Sequence, residues 1–467
     1  MGDGGLVHLR PPEPERPSLM RESFRETLTR LDAGGLLLKI AKEVDPRHLS
    51  ALVVKADRPV LFERVHGYDA RVAGGLFWNR RRLAAALGWP ENELGTRFAD
   101  GVRRMIDPVV LDAGPAQEVV QTGRAVDLTE LPIPILAEKD GGPYISAGVV
   151  MARSPDRGLN AGVYRLMYRC RDETGIDLVT VSDLRRLYER YLGQGQPLPV
   201  TVSLGVHPLE ILSAAYKAPP GVSEMAIAGG LHGAPVPLVA GKTVDVPAVA
   251  DAEIVLEGEL LPIGWSEDEG PFGEFAGMYG DLKTNPVLKV KAVTRRRDPI
   301  FHLLQMPWEN AWLGAAATEA QVWNVLKTAG VDVVQVAVTE GSACRWSVMA
   351  AIRKRAGGGK NALMAILALP DTKHALVVDE DVDILDPVQV EWARTFRVQA
   401  DKDVIVISGA QAKHVDPSVR PWELAQGQLP LTAKMGIDAT IPEGIPAMYY
   451  ERIKHAWVDD VKLEDYR

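Results

Sequence analysis

An acidic stretch, Trp265–Gly277, holds the residues best suited to proton chemistry. It reads Trp-Ser-Glu-Asp-Glu-Gly-Pro-Phe-Gly-Glu-Phe-Ala-Gly and includes Glu269 and Glu274. Glycine and proline between these glutamates disfavour a regular helix or strand, so we predict a shaped loop. If the two phenylalanines turn inward, both carboxyls lie on a partly apolar wall. Burial disfavours the charged form of a carboxyl, and such a group can donate a proton near neutral pH.

A second stretch, Asn160-Ala-Gly-Val-Tyr-Arg165, has a β-rich context and residues that bind ions and phosphates. The amide oxygen of Asn160 is a hard ligand that suits magnesium or manganese. Gly162 lets the backbone approach a bulky planar or phosphorylated group, and Arg165 offers a planar fork that matches a carboxylate or phosphate. Each stretch also has an ordinary explanation, namely a solvated acidic turn or a surface arginine on a strand.

The composition is that of a soluble globular protein. The chain has 467 residues, 46% of them hydrophobic and 25% charged, which predicts two or three domains. A net charge of -9 provides no basic field for nucleic acid or an anionic membrane, and the longest apolar run, 362–369, is too short to span a bilayer. The two cysteines are too few for a disulfide framework and fit a reducing compartment. We therefore predict a cytoplasmic location.

Strand and helix signals alternate over residues 1–125 and predict an N-terminal α/β domain. The pattern places a helix over residues 20–31 behind a Ser18 cap and another over residues 81–87. Apolar runs at residues 52–54 and 60–62 have the length of short strands.

Residues 126–318 are richer in β-type segments. Short apolar runs separated by turn residues predict an antiparallel barrel or sandwich. We expect a hairpin turn at Glu173–Gly175, a strand at residues 178–181, and a single interrupting helix at residues 184–192.

The α/β alternation returns over residues 319–445 and predicts a C-terminal α/β domain. Asp386 followed by Pro387 predicts the cap and first position of a helix, and residues 404–408 have the pattern of a buried strand. The remaining segment, 446–467, is a charged tail with a predicted helix that could dock on a second subunit.

Together, the two motifs resemble those of a known family. Asn-x-Gly-x-Tyr-Arg, followed about a hundred residues later by Glu-Gly-Pro-Phe-Gly-Glu, is similar to the pattern of the UbiD family of prenylated-FMN-dependent decarboxylases and carboxylases. Further stretches that fit lie at residues 221–224, 254–258, 373–386 and 434–440. The resemblance thus extends from about residue 30 to residue 445.

This resemblance implies a fold, cofactors and partners. The expected fold is α/β, with an N-terminal α/β domain, a central split β-barrel resembling flavin reductases, and a C-terminal α/β domain. The expected cofactor is prenylated FMN, whose phosphate is held through Mn²⁺ or Mg²⁺ with K⁺ nearby. A flavin prenyltransferase would supply the cofactor, and the chain would form a homodimer or a hexamer.

The resemblance also assigns roles to individual residues. Arg165, Glu269 and Glu274 correspond to the family's catalytic trio. Asn160 and Glu224 correspond to metal ligands, and Lys434 to a lysine near the flavin phosphate. The full set of expected cofactor contacts is Asn160, Gly162, Val163, Tyr164, Arg165, Ser182, Glu224 and Lys434.

The third metal ligand departs from the family pattern. A histidine is expected just before the helix predicted at residue 184, but the residue after Ser182 is Asp183. An aspartate would give an all-oxygen site, which favours magnesium or manganese. Asp183 could instead cap the helix, a role that aspartate fills well. Both interpretations stay open.

The substrate pocket is expected to involve two further stretches. Phe275 and Leu313 correspond to pocket positions in the family. Trp308 and Trp312 offer rings for stacking on an aromatic substrate, although tryptophan at helical spacing more often serves packing. We expect an aromatic or heteroaromatic carboxylic acid as the substrate, and an α,β-unsaturated acid as the second choice.

The predicted reaction is reversible, non-oxidative decarboxylation that releases CO₂. Loss of CO₂ leaves a carbanion without an internal electron sink, so a cofactor must supply one. In this hypothesis Arg165 binds the substrate carboxylate and pairs with Glu269, while Glu274, kept protonated by burial or a neighbouring carboxylate, protonates the carbon. Two alternatives remain: a magnesium- or manganese-dependent hydrolase that uses the same metal site, and a non-catalytic flavin-binding subunit of a carboxylase complex.

Overall fold

The computed structural model of the chain describes most of its residues. These are residues 21–156, 158–179, 182–219, 221–413, 415–424, 428, 430–453, 455–457 and 460–466. The predicted cap Ser18 lies outside them. No helix in this part of the chain combines the length and the apolar character that crossing a lipid bilayer requires.

The first helix, α1 (Phe24–Ala33), begins at Ser23. The Ser23 side chain accepts a hydrogen bond from the Glu26 N–H, and the Glu26 carboxylate accepts one from the Ser23 N–H. This reciprocal pair satisfies two backbone donors that a helix start leaves free. The prediction of a helix from residue 20 was therefore wrong at its start.

Short elements follow α1, and most of them form a small N-terminal unit. They are β1 (Leu38–Ile40), α2 (Leu49–Lys55), β2 (Val60–Phe62), β3 (Arg71–Gly74), α3 (Arg80–Leu87), α4 (Leu94–Arg103), β4 (Val109–Leu111) and β5 (Val119–Thr122). The last two strands pair instead with the central region, β4 with residues 237–239 and β5 with residues 292–295. The run at residues 52–54 was expected as a strand but belongs to α2. Leu49 and Val53, four residues apart, bury one face of that helix.

The central region supplies the largest sheet. Its elements are β6 (Tyr144–Ser154), β7 (Gly158–Cys170), β8 (Glu173–Gly175), α5 (Asp183–Gly193), β9 (Leu198–Leu204), α6 (Pro208–Ala214), α7 (Glu224–His232), β10 (Pro237–Val239), β11 (Ala248–Val249), β12 (Ile254–Leu260), β13 (Glu267–Glu269), β14 (Phe272–Gly273), β15 (Tyr279–Gly280), β16 (Lys283–Asn285), β17 (Val287–Arg295) and β18 (Ile300–Leu303).

Six of these strands, all within the described residues, close a β-barrel. Their order is β12-β9-β6-β7-β8-β17, and β17 pairs back with β12. Every pairing around the ring is antiparallel. Helices α5, α6 and α7 pack against β7. The predicted antiparallel barrel is confirmed.

Local details of the barrel region differ from expectation. Residues Glu173–Gly175, which were predicted as a hairpin turn, form the strand β8. The turn lies immediately before them, at Arg171 and Asp172. Residues 178 and 179 are not in a strand, and the rest of that predicted strand lies outside the described residues. Two helices, α6 and α7, accompany the one that was predicted.

After the barrel the chain returns to the N-terminal unit. β18 pairs in parallel with β3 and completes the four-stranded sheet β1-β2-β3-β18. The strand after the barrel, β18, therefore belongs to a sheet whose other strands come before the barrel in the chain.

The C-terminal region forms a five-stranded mixed sheet. Its elements are α8 (Trp308–Leu313), α9 (Ala315–Thr328), β19 (Val333–Val338), β20 (Ser347–Ile352), α10 (Gly358–Leu367), β21 (His374–Asp379), α11 (Pro387–Arg397), α12 (Ala400–Asp403), β22 (Val404–Gln411) and β23 (Leu431–Ala439). The strand order is β19-β20-β21-β23-β22, with β20, β21 and β23 parallel. Asp386 caps α11 as predicted, accepting from the Val388 N–H at 2.9 Å.

Strand β22 is an edge strand and not the buried strand that was expected. It pairs only with β23 in the described sheet, and a register shift between Ile407 and Ala410 interrupts that pairing. Val406 is 64% exposed. The tail was predicted to contain an α-helix, but its described residues form only 3₁₀ turns, at Ala447–Tyr450 and Leu463–Tyr466.

A buried carboxylate joins α8 to the N-terminal unit. Glu309 is fully buried and accepts hydrogen bonds from the backbone N–H groups of Gly75, Phe77 and Gln305 at 2.8–3.0 Å. Burial raises the pKa of Glu309 to about 7. The three amides stabilise an acceptor that would otherwise be costly to bury.

We expect Glu309→Gln to lower the free energy of unfolding by about 1–3 kcal/mol, since the amide nitrogen of glutamine would face backbone donors. Chemical denaturation monitored by tryptophan fluorescence measures this loss. Glu391→Gln, on an exposed part of α11, is the control and should change stability by less than about 0.5 kcal/mol. Equal stability of Glu309→Gln and the control would contradict this view of the carboxylate.

Candidate functional site

A guanidinium surrounded by carboxylates lies on the barrel strand β7. Arg165 donates from Nε and Nη2 to the two oxygens of Glu269, at 2.9 Å each. Its Nη1 lies 3.1 Å from Glu274 Oε1 and 3.0 Å from Asp177 Oδ2. The structure thus brings together Arg165, Glu269 and Glu274, the three residues that the motifs singled out.

The electrostatics of this cluster favour a permanent positive charge on the arginine. Burial opposes the charge, but the hydrogen bonds to Glu269 and the charges of Asp177, Glu274 and Glu269 outweigh it and raise the pKa of Arg165. The bidentate pair with Glu269 is the geometry in which arginine and carboxylate bind most specifically.

Two aromatic rings, those of Phe272 and Tyr144, pack beside the cluster. The Arg165 Cζ lies 4.3 Å from the ring centroid of Phe272, and this ring packs 4.5 Å from that of Tyr144. Phe272 is buried and Phe275 is half-buried, so the inward orientation considered for both phenylalanines is complete only for Phe272. Burial, together with the nearby Glu269 charge, raises the pKa of Tyr144.

The acidic loop is more regular than expected. Glu267–Glu269 pairs with Lys283–Asn285 as β13 and β16, and Phe272–Gly273 pairs with Tyr279–Gly280 as β14 and β15. A cis peptide bond joins Gly270 to Pro271 between these short strands. The expectation that glycine and proline would exclude strands was wrong, because Gly270 and Pro271 occupy the bend while Gly273 itself pairs in β14.

A neighbouring segment holds this bend in place. The Gly141 N–H donates to the Pro271 carbonyl at 2.8 Å, and Asp140 Oδ1 accepts from the Gly273 N–H at 2.9 Å. A Cβ on Gly141 would overlap the carbonyl group of Gly270. The absence of a side chain at residue 141 therefore lets the two backbones meet.

The motifs did not reveal two charged members of the cluster. Asp177 follows β8, and Lys283 in β16 places its Nζ 3.1 Å from Glu274 Oε1. Glu274 has the partial burial that was expected, with its side chain 13% exposed. Its charged neighbours in the described structure include the cations Arg165 and Lys283, so Glu274 lies there as an ion-paired carboxylate.

The three candidate metal ligands line one cavity. Asn160, Asp183 and Glu224 face a space of about 140 Å³ beside the barrel. Glu224, at the start of α7, accepts from the Ala161 N–H at 2.8 Å and lies 3.4 Å from Asn160 Nδ2. The buried Asn160 Oδ1 has no hydrogen-bond partner among the described residues.

This donor set fits a hard divalent cation. Burial, with a smaller contribution from Asp183, raises the pKa of Glu224 to about 7. An unpartnered amide oxygen and two carboxylates leave a local demand for positive charge that Mg²⁺ or Mn²⁺ would meet. Asp183 is not the cap of α5, because that role belongs to Ser182, whose side chain accepts from the Arg185 N–H at 3.2 Å.

The expected flavin contacts on β7 are also linked to one another. The Tyr164 hydroxyl donates to Ser182 Oγ at 3.1 Å, and burial raises the pKa of Tyr164 to about 12. A Cβ on Gly162 would lie 2.5 Å from the Tyr164 ring. The glycine is thus required by the fold of its own strand, where Val163 is half-buried.

The remaining predicted site residues lie in or against the C-terminal region. Phe275 stacks on Trp346, with ring centroids 5.8 Å apart. Leu313 is buried and Trp308 half-buried, at opposite ends of α8. Lys434 donates to the carbonyls of Leu367 and Leu369, at 2.9 and 2.5 Å. Among the described residues these bonds keep Lys434 within the C-terminal unit, and burial lowers its pKa.

Comparison with known proteins identifies the family. The chain matches sequence models of three domains of 3-octaprenyl-4-hydroxybenzoate carboxy-lyase: the N-terminal domain over residues 28–102, the Rift-related domain over residues 109–308 and the C-terminal domain over residues 311–439. The chain belongs to the UbiD family of carboxy-lyases.

Individual relatives agree with this assignment. Anhydromevalonate phosphate decarboxylase of Methanothermobacter thermautotrophicus is 34% identical, over 82% of this chain and 88% of the relative. Among solved structures, the UbiD-class enzyme HmfF of Pelotomaculum thermopropionicum in complex with FMN has a TM-score of 0.89 and 37% identity, over 96% of this chain and all of HmfF.

Two further structures cover the same length. An evolved dimeric form of HmfF in complex with prFMN has a TM-score of 0.85 and 36% identity, over 95% of this chain and 100% of that one. Apo 3,4-dihydroxybenzoic acid decarboxylase (AroY) of Klebsiella pneumoniae has a TM-score of 0.85 and 28% identity, over 96% and 99%.

We expect Gly141→Ala to displace the bend that carries Glu269 and Glu274, because the new methyl group overlaps backbone atoms of Gly270. The variant should unfold at least about 1 kcal/mol more easily and show faster amide hydrogen exchange over residues 268–275. Gly142→Ala is the matched control, since its methyl group meets only the flexible end of Met167, at 3.0 Å. Identical exchange in both variants would argue against close packing at residue 141.

Proposed function

We propose that this chain catalyses the reversible, non-oxidative decarboxylation of an aromatic or heteroaromatic carboxylic acid with prenylated FMN. The observation that carries the proposal is the hydrogen-bonded cluster of Arg165, Glu269 and Glu274 in the barrel of a UbiD-family chain. The complexes of HmfF with FMN and prFMN support the flavin, and AroY supports the aromatic acid.

The cofactor would lie between the metal cavity and the carboxylate cluster. Asn160, Asp183 and Glu224 would hold Mn²⁺ or Mg²⁺ against its phosphate, while Gly162–Arg165 and Ser182 would contact the flavin. Bound prenylated flavin would supply the electron sink that the protein side chains lack. We retain K⁺ and a phosphate contact from Lys434 as proposals, although Lys434 would first have to leave the carbonyls of Leu367 and Leu369.

The substrate carboxylate would bind to Arg165 at Nη1. Nη1 makes one contact with Glu274 and one with Asp177. Glu269 binds the opposite side of the guanidinium with two hydrogen bonds. Replacing a single contact is less costly than breaking a bidentate pair. The incoming carboxylate therefore displaces Glu274 from the guanidinium and leaves Glu269 in place.

Displacement prepares Glu274 for proton transfer. Once it loses Arg165 as a partner, Glu274 keeps one cationic neighbour, Lys283, and faces the anionic substrate. A nearby negative charge favours the protonated form of a carboxyl. Glu274 then takes up a proton from solvent and delivers it to the carbon from which CO₂ has left, and Lys283 positions it.

A second substrate class is an α,β-unsaturated acid. Relatives named anhydromevalonate phosphate decarboxylase are 32–35% identical to this chain over at least 82% of its length. The interior packing of Trp312 weakens the case for an aromatic stacking platform on α8. Trp312 is buried, with Arg80 lying 5.4 Å over its ring.

We also propose the expected partners. The chain would receive its cofactor from a flavin prenyltransferase and would assemble as a homodimer or a hexamer. The evolved dimeric form of HmfF supports self-association. Apolar side chains of the tail, such as Ile453 and Trp457, are largely exposed and could contribute to the interface.

Glu274→Gln should lower turnover by about 10²- to 10⁴-fold, because glutamine cannot donate the proton that general acid catalysis requires. The flavin should stay bound, which the visible absorbance reports. Product deuteration in D₂O, measured by mass spectrometry over a panel of acids, follows the proton step. Glu267→Gln, in the same loop but outside the cluster, should retain activity. Near-normal exchange by Glu274→Gln would remove this residue from the mechanism.

Metal binding should depend on pH through Glu224. In metal-free protein the raised pKa of Glu224 means that stability falls as the pH rises from about 4.5 to about 7, because the folded state holds the proton more tightly. Mn²⁺ binds the deprotonated site, so its thermal stabilisation should be larger at high pH. At a hundred times its Kd the gain is about 2.7 kcal/mol.

Differential scanning fluorimetry with and without Mn²⁺ measures this dependence. Glu224→Gln should abolish it. Asp172→Asn is the control, because Cys170, Asp172 and Glu173 form a separate, more exposed group of possible ligands. A Mn²⁺ response that survives Glu224→Gln and disappears in Asp172→Asn would move the metal to that second group.

A further inference from the structure

Resting on the proposed function, we infer that Asp177 determines which heteroaromatic acids this chain accepts. It takes a hydrogen bond from a ring N–H group on the substrate atom next to the carbon that bears the carboxylate. Asp177 lies between β8 and α5 and is not part of the two sequence motifs. The favoured substrates are therefore acids of the pyrrole-2-carboxylate type, and their oxygen analogues are disfavoured.

Asp177 flanks the position proposed for the substrate carboxylate. Its Oδ2 lies 3.0 Å from Arg165 Nη1, and Glu274 Oε1 lies 3.1 Å from the same nitrogen. The substrate carboxylate takes the place of Glu274 at this nitrogen, so Asp177 becomes its immediate neighbour. Two acceptors that share the two N–H bonds of one planar nitrogen lie about 5 Å apart. A donor on the ring atom next to the carboxylate lies between them and is within reach of Asp177.

The Asp177 side chain is held in this orientation by the backbone. Its own N–H donates to the Arg165 carbonyl at 3.3 Å, which ties the residue to β7. Its Oδ1 accepts from the Val179 N–H at 3.1 Å, so Oδ2 is the oxygen directed at the guanidinium. Ile176 and Leu178 on either side are fully buried. Asp177 is therefore an acceptor with a fixed position.

Asp177 is also the most open of the three carboxylates around Arg165. Its side chain is 21% exposed, compared with 13% for Glu274 and 1% for Glu269. Each carboxylate oxygen can accept more than one hydrogen bond, so Oδ2 keeps acceptor capacity beside its contact with Arg165. A ligand can thus bind to Asp177 without displacing it.

The negative charge of Asp177 supplies the selectivity. The single positive charge of Arg165 already has Glu269 as a bidentate partner. A substrate carboxylate beside Asp177 brings two anions together, and this costs free energy unless a hydrogen-bond donor lies between them. A ring N–H provides that donor. A ring oxygen at the same position turns a lone pair toward Asp177 and leaves the carboxylate without a partner.

The test uses pairs of acids that differ only in the ring atom next to the carboxylate. Enzyme loaded with prenylated FMN is assayed with pyrrole-2-carboxylate and furan-2-carboxylate, and with indole-2-carboxylate and benzofuran-2-carboxylate. Because the two kinds of ring differ in intrinsic reactivity, the measured quantity is the ratio of kcat/KM values within a pair and its change on mutation. Asp177→Asn should lower the ratio of N–H acid to oxygen acid by about 10- to 100-fold in at least one pair, mainly through KM.

The variants separate acceptor strength from side-chain size. Asp177→Asn keeps the size and the acceptor for the Val179 N–H, which leaves the amide nitrogen, a donor, in the position of Oδ2. Asp177→Ala removes the acceptor, should also lower the ratio, and serves if Asp177→Asn does not fold. Asp268→Asn removes a carboxylate from an exposed position of β13 and should leave the ratio unchanged. The same ratio in wild type, Asp177→Asn and Asp177→Ala for both pairs would overturn the proposal.

Binding separates this inference from the proposed reaction. Isothermal titration of the same acids into enzyme that carries unmodified FMN requires no turnover. If no acid is decarboxylated but Asp177→Asn weakens binding of an N–H acid at least tenfold relative to its oxygen partner, the proposed function fails and the role of Asp177 stands. If acids are turned over and the variants change neither the kcat/KM ratio nor the affinity ratio, the role of Asp177 fails and the proposed function stands.

Discussion

The structure around the candidate site depends on one buried ion cluster. Arg165 carries a positive charge inside the barrel wall, and Glu269, Glu274 and Asp177 neutralise it. Removing any one partner would leave charge that is poorly solvated, so the members hold each other in place. The two glutamates are held with different strength, because Arg165 forms two hydrogen bonds with Glu269 and one with Glu274. In the proposed mechanism, the more weakly held residue, Glu274, is the one that changes partners.

The fold supplies the precision that this cluster needs. Antiparallel pairing fixes Arg165 on β7, while two short strand pairs fix the carboxylates on either side of a bend. Gly141 allows the segment before β6 to touch that bend directly. Sites built on paired strands are held more exactly than sites on free loops. The metal cavity lies on the same strand, so one element relates both centres.

The sequence predicted the barrel and three members of its central cluster, Arg165, Glu269 and Glu274, because short alternating strands and two motifs are local signals. Asp177 and Lys283 were missed, since each reaches the cluster through space and has no pattern of its own. The run at residues 52–54 became helix because Leu49 and Val53 bury a common face. Ser182 rather than Asp183 capped α5, a one-residue distinction that only backbone geometry decides. The pairing of β18 with β3 could not be seen from either strand alone.

The interrupted pairing of β22 affects how copies of this chain can meet. An edge strand with free backbone groups invites a neighbour to extend the sheet, but an irregularity such as that between Ile407 and Ala410 twists the edge and spoils its fit to a straight strand. Contact on this side must therefore be made by side chains such as Val406 rather than by a continuous intermolecular sheet. The chain can therefore expose apolar side chains along the edge of β22 without favouring the strand-by-strand assembly of fibrils.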